Sequence, residues 1–228
     1  RAIRFGGIPS EFALESNLLH DAFCHFLDGD FLACANIDVA VADFFDAITI
    51  DLVIDGGNVV KCGDTIVMTE KVFVENKDKT RTEVERILKD AFRCDILFLP
   101  WDQKETFGHS DGIVHYAGDG KILLTNYDDS SIYYYRRFRK ALEKHFEVIP
   151  LKYATKRRHA RSWAYINFLQ IGKLVLVPQL GLEEDGQALE QIGNALSDFE
   201  VIGIPALEAV RRGGGLNCIS WNVSMLHH

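Results

Sequence analysis

Positive charge is scarce in this chain: 25 lysines and arginines stand against 33 aspartates and glutamates, a formal net charge of −8. That balance argues against a nucleic-acid or anionic-membrane binder and favours a cationic or small neutral partner. The one basic cluster, Lys156-Arg157-Arg158-His159-Ala160-Arg161, reads as a solvated loop. Long apolar runs are missing too, and none approaches the ~18 residues that span a bilayer. Cysteine is sparse. Cys24, Cys34, Cys62, Cys94 and Cys218 make an odd set with no C-x-x-C pair, which argues against a disulfide framework and against structural zinc. At least four of these thiols are expected to be packing residues. Linkers and low-complexity segments are absent, so one domain over 1–228 is expected. No signal-peptide pattern opens the chain, and a reducing, cytoplasmic setting follows, with a removed leader ahead of Arg1 left open.

What is present is a core-forming composition and a repeat. Of 228 residues, 47% are hydrophobic and 25% charged, ordinary values for a protein that buries a real core. Three stretches share one grammar, an amphipathic helix followed by an apolar strand ending at or near proline. The first runs from Thr82 to Pro100, with Val84, Ile87, Leu88, Ala91 and Phe92 at helical spacing and a capping box expected from Thr82 and Glu85. The second, Tyr135 to Pro150, puts Phe138, Ala141, Leu142 and His145 on one face. The third, Asp185 to Pro205, carries Ala188, Leu189, Ile192, Ala195 and Leu196 before Val201-Ile202-Gly203-Ile204. A weaker copy spans Val39 to Ile54 and ends in a strand at Leu52-Val53-Ile54. Hairpin patterns accompany the helices, with turns at Cys62-Gly63-Asp64, Gly118-Asp119-Gly120 and Ile171-Gly172-Lys173. The unit is therefore β-hairpin, helix, strand at a period of about fifty residues, and such units stack around an axis because each leaves an apolar face for its neighbour.

Polar residues open each unit at the same phase. They are Asp55-Gly56-Gly57-Asn58, Gly108-His109-Ser110-Asp111-Gly112, Tyr165-Ile166-Asn167-Phe168 and Gly213-Gly214-Gly215-Leu216-Asn217-Cys218. The separations are 54 from Asp55 to His109, 58 from His109 to Asn167 and 51 from Asn167 to Cys218. Any one of these has a structural explanation: a turn, a hydrogen-bonded His-x-Asp pair sharing a strand face, a cap, a bend beside a buried thiol. Four in phase bring acid, base and nucleophile types to one place, and Asp55, His109, Asp111, Asn167 and Cys218 are the expected site.

These motifs, with Glu105-Thr106-Phe107-Gly108-His109-Ser110-Asp111, resemble the guanidino-group modifying enzymes, in the branch of agmatine deiminase and the Porphyromonas-type peptidylarginine deiminase. The resemblance runs from about Asp51 to Val223. It implies an α/β pseudo-fivefold propeller, or pentein, of these repeats, incomplete at the N-terminus. It also implies hydrolytic deimination of a small cationic guanidino substrate, agmatine first, to a ureido product and ammonia. Cys218 then matches the nucleophile, His109 the general acid/base, Asp111 a carboxylate gripping the guanidinium, Asp55 the acidic residue of the (E/D)GG motif, and Asn167 a polar lining residue. No metal or organic cofactor is implied.

The resemblance has gaps. The family's Arg-Asp-aromatic-Gly-Pro segment, whose Asp is a second grip on the guanidinium, finds only Arg4-Phe5-Gly6-Gly7-Ile8-Pro9 here. Residues absent from this stretch are the expected explanation. Ser10 to Leu27 reads instead as a helix through Leu14, Leu18, Leu19, Ala22, Phe23 and Phe26. Asp55 replaces the usual Glu, and Asn217 stands where many relatives have His. A binding-only protein of the same fold and an amidinotransferase with an amine in place of water stay open. A papain-like protease is disfavoured by the order His, Asn, Cys.

Overall fold

A computed structural model describes residues 2–5, 26–27, 31–34, 47–105, 107–155 and 161–220, with side chains described from Ile50 onward. The chain divides into two compact units, one built from residues up to His109 and one from Ser110 to Ser220. Among the described residues no helix is long and apolar enough to cross a membrane.

Three copies of one α/β motif are present, each a three-stranded mixed sheet. In the first unit β5 (Val60–Cys62) and β6 (Thr65–Thr69) form an antiparallel hairpin, and β7 (Asp95–Leu99) returns parallel to β6 after a helical crossover. The second unit holds two more copies. One joins β8 (Val114–Gly118), β9 (Lys121–Leu124) and β10 (Glu147–Pro150). The other joins β11 (Leu169–Ile171), β12 (Leu174–Gln179) and β13 (Glu200–Pro205). The hairpins turn where the sequence places them. At the second turn Asp119 and Gly120 take φ of 49° and 73°, the left-handed pair that matches strand twist in a two-residue hairpin.

Ahead of these lies a four-stranded sheet of different order: β2 (Phe26–Leu27), β3 (Phe31–Cys34), β1 (Ala2–Phe5) and β4 (Ala47–Ile50). The strand of the weak fourth copy is thus at Ala47–Ile50 rather than Leu52–Ile54, and it pairs with β1 instead of with the hairpin. The helix expected over Ser10 to Leu27 lies outside the described residues, apart from Phe26 and Leu27, which are strand. Of the Arg4–Pro9 segment only Arg4 and Phe5 are described, at the end of β1.

Five helices complete the described chain: α1 (Lys71–Glu75), α2 (Arg81–Phe92), α3 (Ile132–Leu142), α4 (Asp185–Ala195) and α5 (Leu207–Arg211). In the three longer ones the buried residues recur three or four apart, the spacing that keeps one face on a sheet. In α2 these are Val84, Leu88 and Phe92, which meet Ile66 and Met68 of β6 in the core of the first unit. In α3 Tyr135, Phe138 and Leu142 are buried, and the Phe138 ring lies edge-on to Tyr127 at 4.9 Å. His145 falls beyond the end of α3 and is exposed, so it is not part of that face. In α4 Ala188 and Ile192 pack with Tyr165, Phe168, Val175 and Val177. Tyr165, fully buried, donates its hydroxyl hydrogen to Asp185 Oδ1 at 2.6 Å, while Asp185 accepts from the Leu180 and Gly181 backbone N–H groups at 2.9 and 2.8 Å.

The capping box of α2 forms two residues earlier than Thr82 and Glu85 suggest. Thr80 Oγ1 accepts from Glu83 N at 3.3 Å, and Glu83 Oε2 accepts from Thr80 N at 2.7 Å. Both pairs satisfy the S/T-x-x-E pattern, but only Thr80 has the extended backbone (φ −71°, ψ 154°) that a cap needs. Urea unfolding should separate them. Thr80→Ala is expected to cost about 1 kcal/mol, and Thr82→Ala less than about 0.5 kcal/mol. Equal costs, or a larger cost at Thr82, would contradict the assignment.

Candidate active site

The four polar motifs do not open strands. Three of them lie at short 3-10 turns just before strands: Gly56–Asn58, Ser110–Gly112 and Ser162–Ile166. His109 therefore precedes a turn and Asp111 sits inside it, so strand alternation is not what relates the two side chains. The fourth motif follows α5, with Gly213 at φ 99°.

In the first unit the sequence-predicted residues Asp55 and His109 meet directly. His109 Nε2 is 2.9 Å from Asp55 Oδ2. Asp55 precedes its turn without capping it through the side chain, and its Oδ2 meets two side chains. The turn is pinned by Asn58, whose Oδ1 accepts from Thr69 N at 2.8 Å. Thr69 in turn donates its hydroxyl hydrogen to the carbonyl of Gly108 at 2.6 Å, fixing the peptide before His109. Gly108 has φ of +65°, and a Cβ there would run into the Trp101 indole. Two further residues join this set. Lys71 forms an ion pair with Asp55 Oδ2 and another with Glu75 Oε1 at 2.9 Å. Burial alone would raise the Asp55 carboxyl, but the hydrogen bond and charge of His109 and the Lys71 ammonium outweigh it and hold the group well below the usual range. Glu75 behaves oppositely. Burial, then the Asp55 charge, push it up to about 7 despite Lys71.

The second unit brings together Asp111, Asn167 and Cys218. Asp111 is 6% exposed, and its Oδ2 accepts from Asn167 Nδ2 at 2.9 Å and from Asn217 Nδ2 at 3.1 Å. Cys218 Sγ lies 3.6 Å from the same oxygen and 3.2 Å from Asn167 Oδ1, which also accepts from Cys218 N at 3.2 Å. One buried amide thus braces both the carboxylate and the thiol. The bend that allows this needs Gly215, because a Cβ there would run into the Asn167 side chain. Burial first, and the Asp111 charge second, raise the Cys218 thiol well above its ordinary value, against weaker help from a Gly215 backbone hydrogen bond and Asn167. The resting residue is a thiol beside a carboxylate, an arrangement a bound cation would reverse.

The remaining cysteines lie outside these motifs in sequence. Cys62 is the last residue of β5 rather than part of the turn, and burial pushes it up to about 12. Cys94, between α2 and β7, is also raised by burial. Cys34 lies in β3, and Cys24 and residues 156–160 of the basic cluster fall outside the described residues. Sequence reasoning missed Lys71 and Glu75, although their i,i+4 spacing was visible, and it treated Asn217 only as a departure rather than as a donor to Asp111.

Comparison with known proteins identifies the family. The agmatine deiminase of Pseudomonas putida is 26% identical over 74% of this chain and 56% of its own length. A solved structure of an agmatine deiminase from Enterococcus faecalis superposes with a TM-score of 0.64 at 25% identity, over 79% of this chain and 60% of that one. The structure of C. jejuni agmatine deiminase carrying a C315S substitution, with substrate bound, has a TM-score of 0.67 at 19% identity over 90% of this chain and 65% of that one, a likeness of α/β fold. Across the curated relatives it matches, the chain spans 56% to 67% of their length. The family described as Porphyromonas-type peptidyl-arginine deiminase matches residues 28–223, and the chain belongs to that family.

Proposed function

We propose that this chain carries residues for hydrolytic deimination of a guanidinium compound, agmatine first among the candidates, to a ureido product and ammonia. The observation that carries the reading is Cys218 Sγ at 3.6 Å from the buried Asp111 carboxyl oxygen to which both Asn side chains donate. The agmatine deiminase names of the relatives support the choice of substrate.

A guanidinium carbon is a weak electrophile because its charge is spread over three nitrogens. Asp111 answers this by accepting guanidinium N–H bonds, which orients the carbon toward the sulfur. The same cation cancels the field that keeps Cys218 protonated, so the thiol gives its proton to water as the cation binds and takes one back from the ureido oxygen when the thiolate is finally expelled. The thiolate then adds to the carbon, forming a C–S bond and a tetrahedral centre. His109 supplies the proton with which one nitrogen leaves as ammonia, giving an amidino-thioether. Neutral His109 next takes a proton from water, the hydroxide adds to the same carbon, and collapse expels the Cys218 thiolate and releases the urea. Asp55 holds the His109 ring through both proton transfers. The finer fold reading, hairpin–helix–strand copies as blades of a pseudo-fivefold propeller, rests on the phase of the four motifs.

A panel assay for ureido product on agmatine, free arginine and a peptidyl arginine tests the reaction. Agmatine should be turned over without an added amine acceptor, and Cys218→Ser should lose roughly 10³-fold or more. Turnover by the Ser variant at the parent rate would overturn the role of Cys218.

Asp111→Asn should produce two opposite changes. Loss of the charged grip is expected to cost about 2–5 kcal/mol, roughly 30- to several-thousand-fold in kcat/KM. Removal of the negative charge beside the thiol should at the same time lower the Cys218 pKa, so alkylation of Cys218 by iodoacetamide at pH 8 should speed up. Slower or unchanged alkylation would contradict the electrostatic account.

A further inference from the structure

We propose that Lys71 is a positioning residue for His109: its ammonium holds the same Asp55 oxygen that the imidazole uses, and so fixes the carboxylate and the share of its charge that the ring meets. The inference rests on the reading of His109 as the acid and base of the reaction.

Three observations carry it. First, Lys71 and His109 share Asp55 Oδ2, and the side chains are largely out of water, at 18% exposed for Lys71, 15% for Asp55 and 11% for His109. Desolvating an ammonium costs several kcal/mol, so a lysine kept in such a place needs partners that repay it. Second, those partners sit on both sides: Asp55 on one, and on the other Glu75, one helical turn along α1 at 2.9 Å. Lys before Glu is the less favourable order for an isolated helix, so helix stabilisation is a poor reason for the pair. Third, the aliphatic stem reaches the peptide ahead of the ring, with Lys71 Cδ 3.6 Å from where a Gly108 Cβ would stand. Lys71 thus borders both the backbone and the partner of His109.

The chemical consequence follows from charge. An Asp55 carboxylate acting on His109 alone would stabilise the imidazolium, and His109 must give up that proton to the leaving nitrogen and then act as a base. Lys71 takes part of the carboxylate's charge, and Glu75 sets how much of the lysine's charge is left over. Among the described residues, charged groups facing His109 include Asp55 and Lys71 from the first unit's turn and α1, with Glu75 behind Lys71, and Glu105, itself beside Asp102, in the loop before the ring.

The test follows the His109 imidazole by NMR, assigned against His109→Gln, with kinetics on the same samples. In Lys71→Met the ring's titration midpoint should move up by about one unit, and Lys71→Arg should bring it back. Glu75→Gln removes the negative charge that Glu75 carries above its raised midpoint of about 7, so it should move the ring's midpoint down by less than Lys71→Met moves it up, and it serves if Lys71→Met fails to fold. Turnover of agmatine by Lys71→Met should fall about tenfold in kcat with KM within about twofold, because Asp111 grips the substrate. A midpoint unmoved in both Lys71→Met and Glu75→Gln would overturn the proposal. Wild-type protein inactive on every guanidine but with the midpoint shifts intact would remove the reaction reading and leave the Lys71 assignment standing.

Discussion

A carboxylate stays ionised away from water only if donors replace the solvent, and Asp111 is held by two side-chain amides, Asn167 and Asn217, on one oxygen. Most of the local architecture of the second unit serves that arrangement. Asn167 caps the 3-10 turn Ser162–Ile166, and its carbonyl accepts from Asn217 N at 3.1 Å, which ties the glycine-rich bend to the turn. Gly215 leaves room for the amide, and Tyr165 and Phe168 anchor the turn in the core on either side of it. A negative charge built in at this cost repels a thiolate and attracts a cation.

The two polar sets have opposite electrostatic characters. Around Asp55, the positive partners His109 and Lys71 overcome burial and keep the carboxyl ionised far into acid. Around Cys218, burial and a negative neighbour work together and keep the thiol protonated. The first set therefore keeps its carboxyl ionised in the resting protein, and the second keeps its thiol protonated. A guanidinium suits the second because it is a planar cation whose N–H groups match a carboxylate. This division also protects the sulfur, since a thiol is far less prone than a thiolate to oxidation and adventitious alkylation.

The repeat was legible because its punctuation is chemical. Gly118-Asp119-Gly120 permits a left-handed turn, and residues such as Val84, Leu88 and Phe92 recur at the spacing one helix face requires. The phase of the polar motifs gathered Asp55, His109, Asp111, Asn167 and Cys218 into one expected site, and within their units Asp55 meets His109, and Asn167 meets both Asp111 and Cys218, partners 51 to 56 residues apart. What was not legible depended on choices that sequence leaves degenerate or on pairing far along the chain. Thr80 and Thr82 each have a Glu three residues on, and only the backbone decides between them. Strand β1 sits between β3 and β4 in parallel register, a pairing with no periodic signature in the residues around it. Lys71 resembled any solvated lysine on a short helix until its partner 16 residues earlier was known.

The central claim is that Cys218 is a thiol at rest and becomes a thiolate when a guanidinium cation meets Asp111. Thiolate absorbance near 240 nm, recorded against pH as the difference between wild type and Cys218→Ser, measures this directly with and without saturating guanidinium ion. The account predicts a Cys218 midpoint above that of a free cysteine in the absence of the cation, and a fall in its presence. A midpoint already at or below the free value, or one that the cation leaves in place, would contradict it.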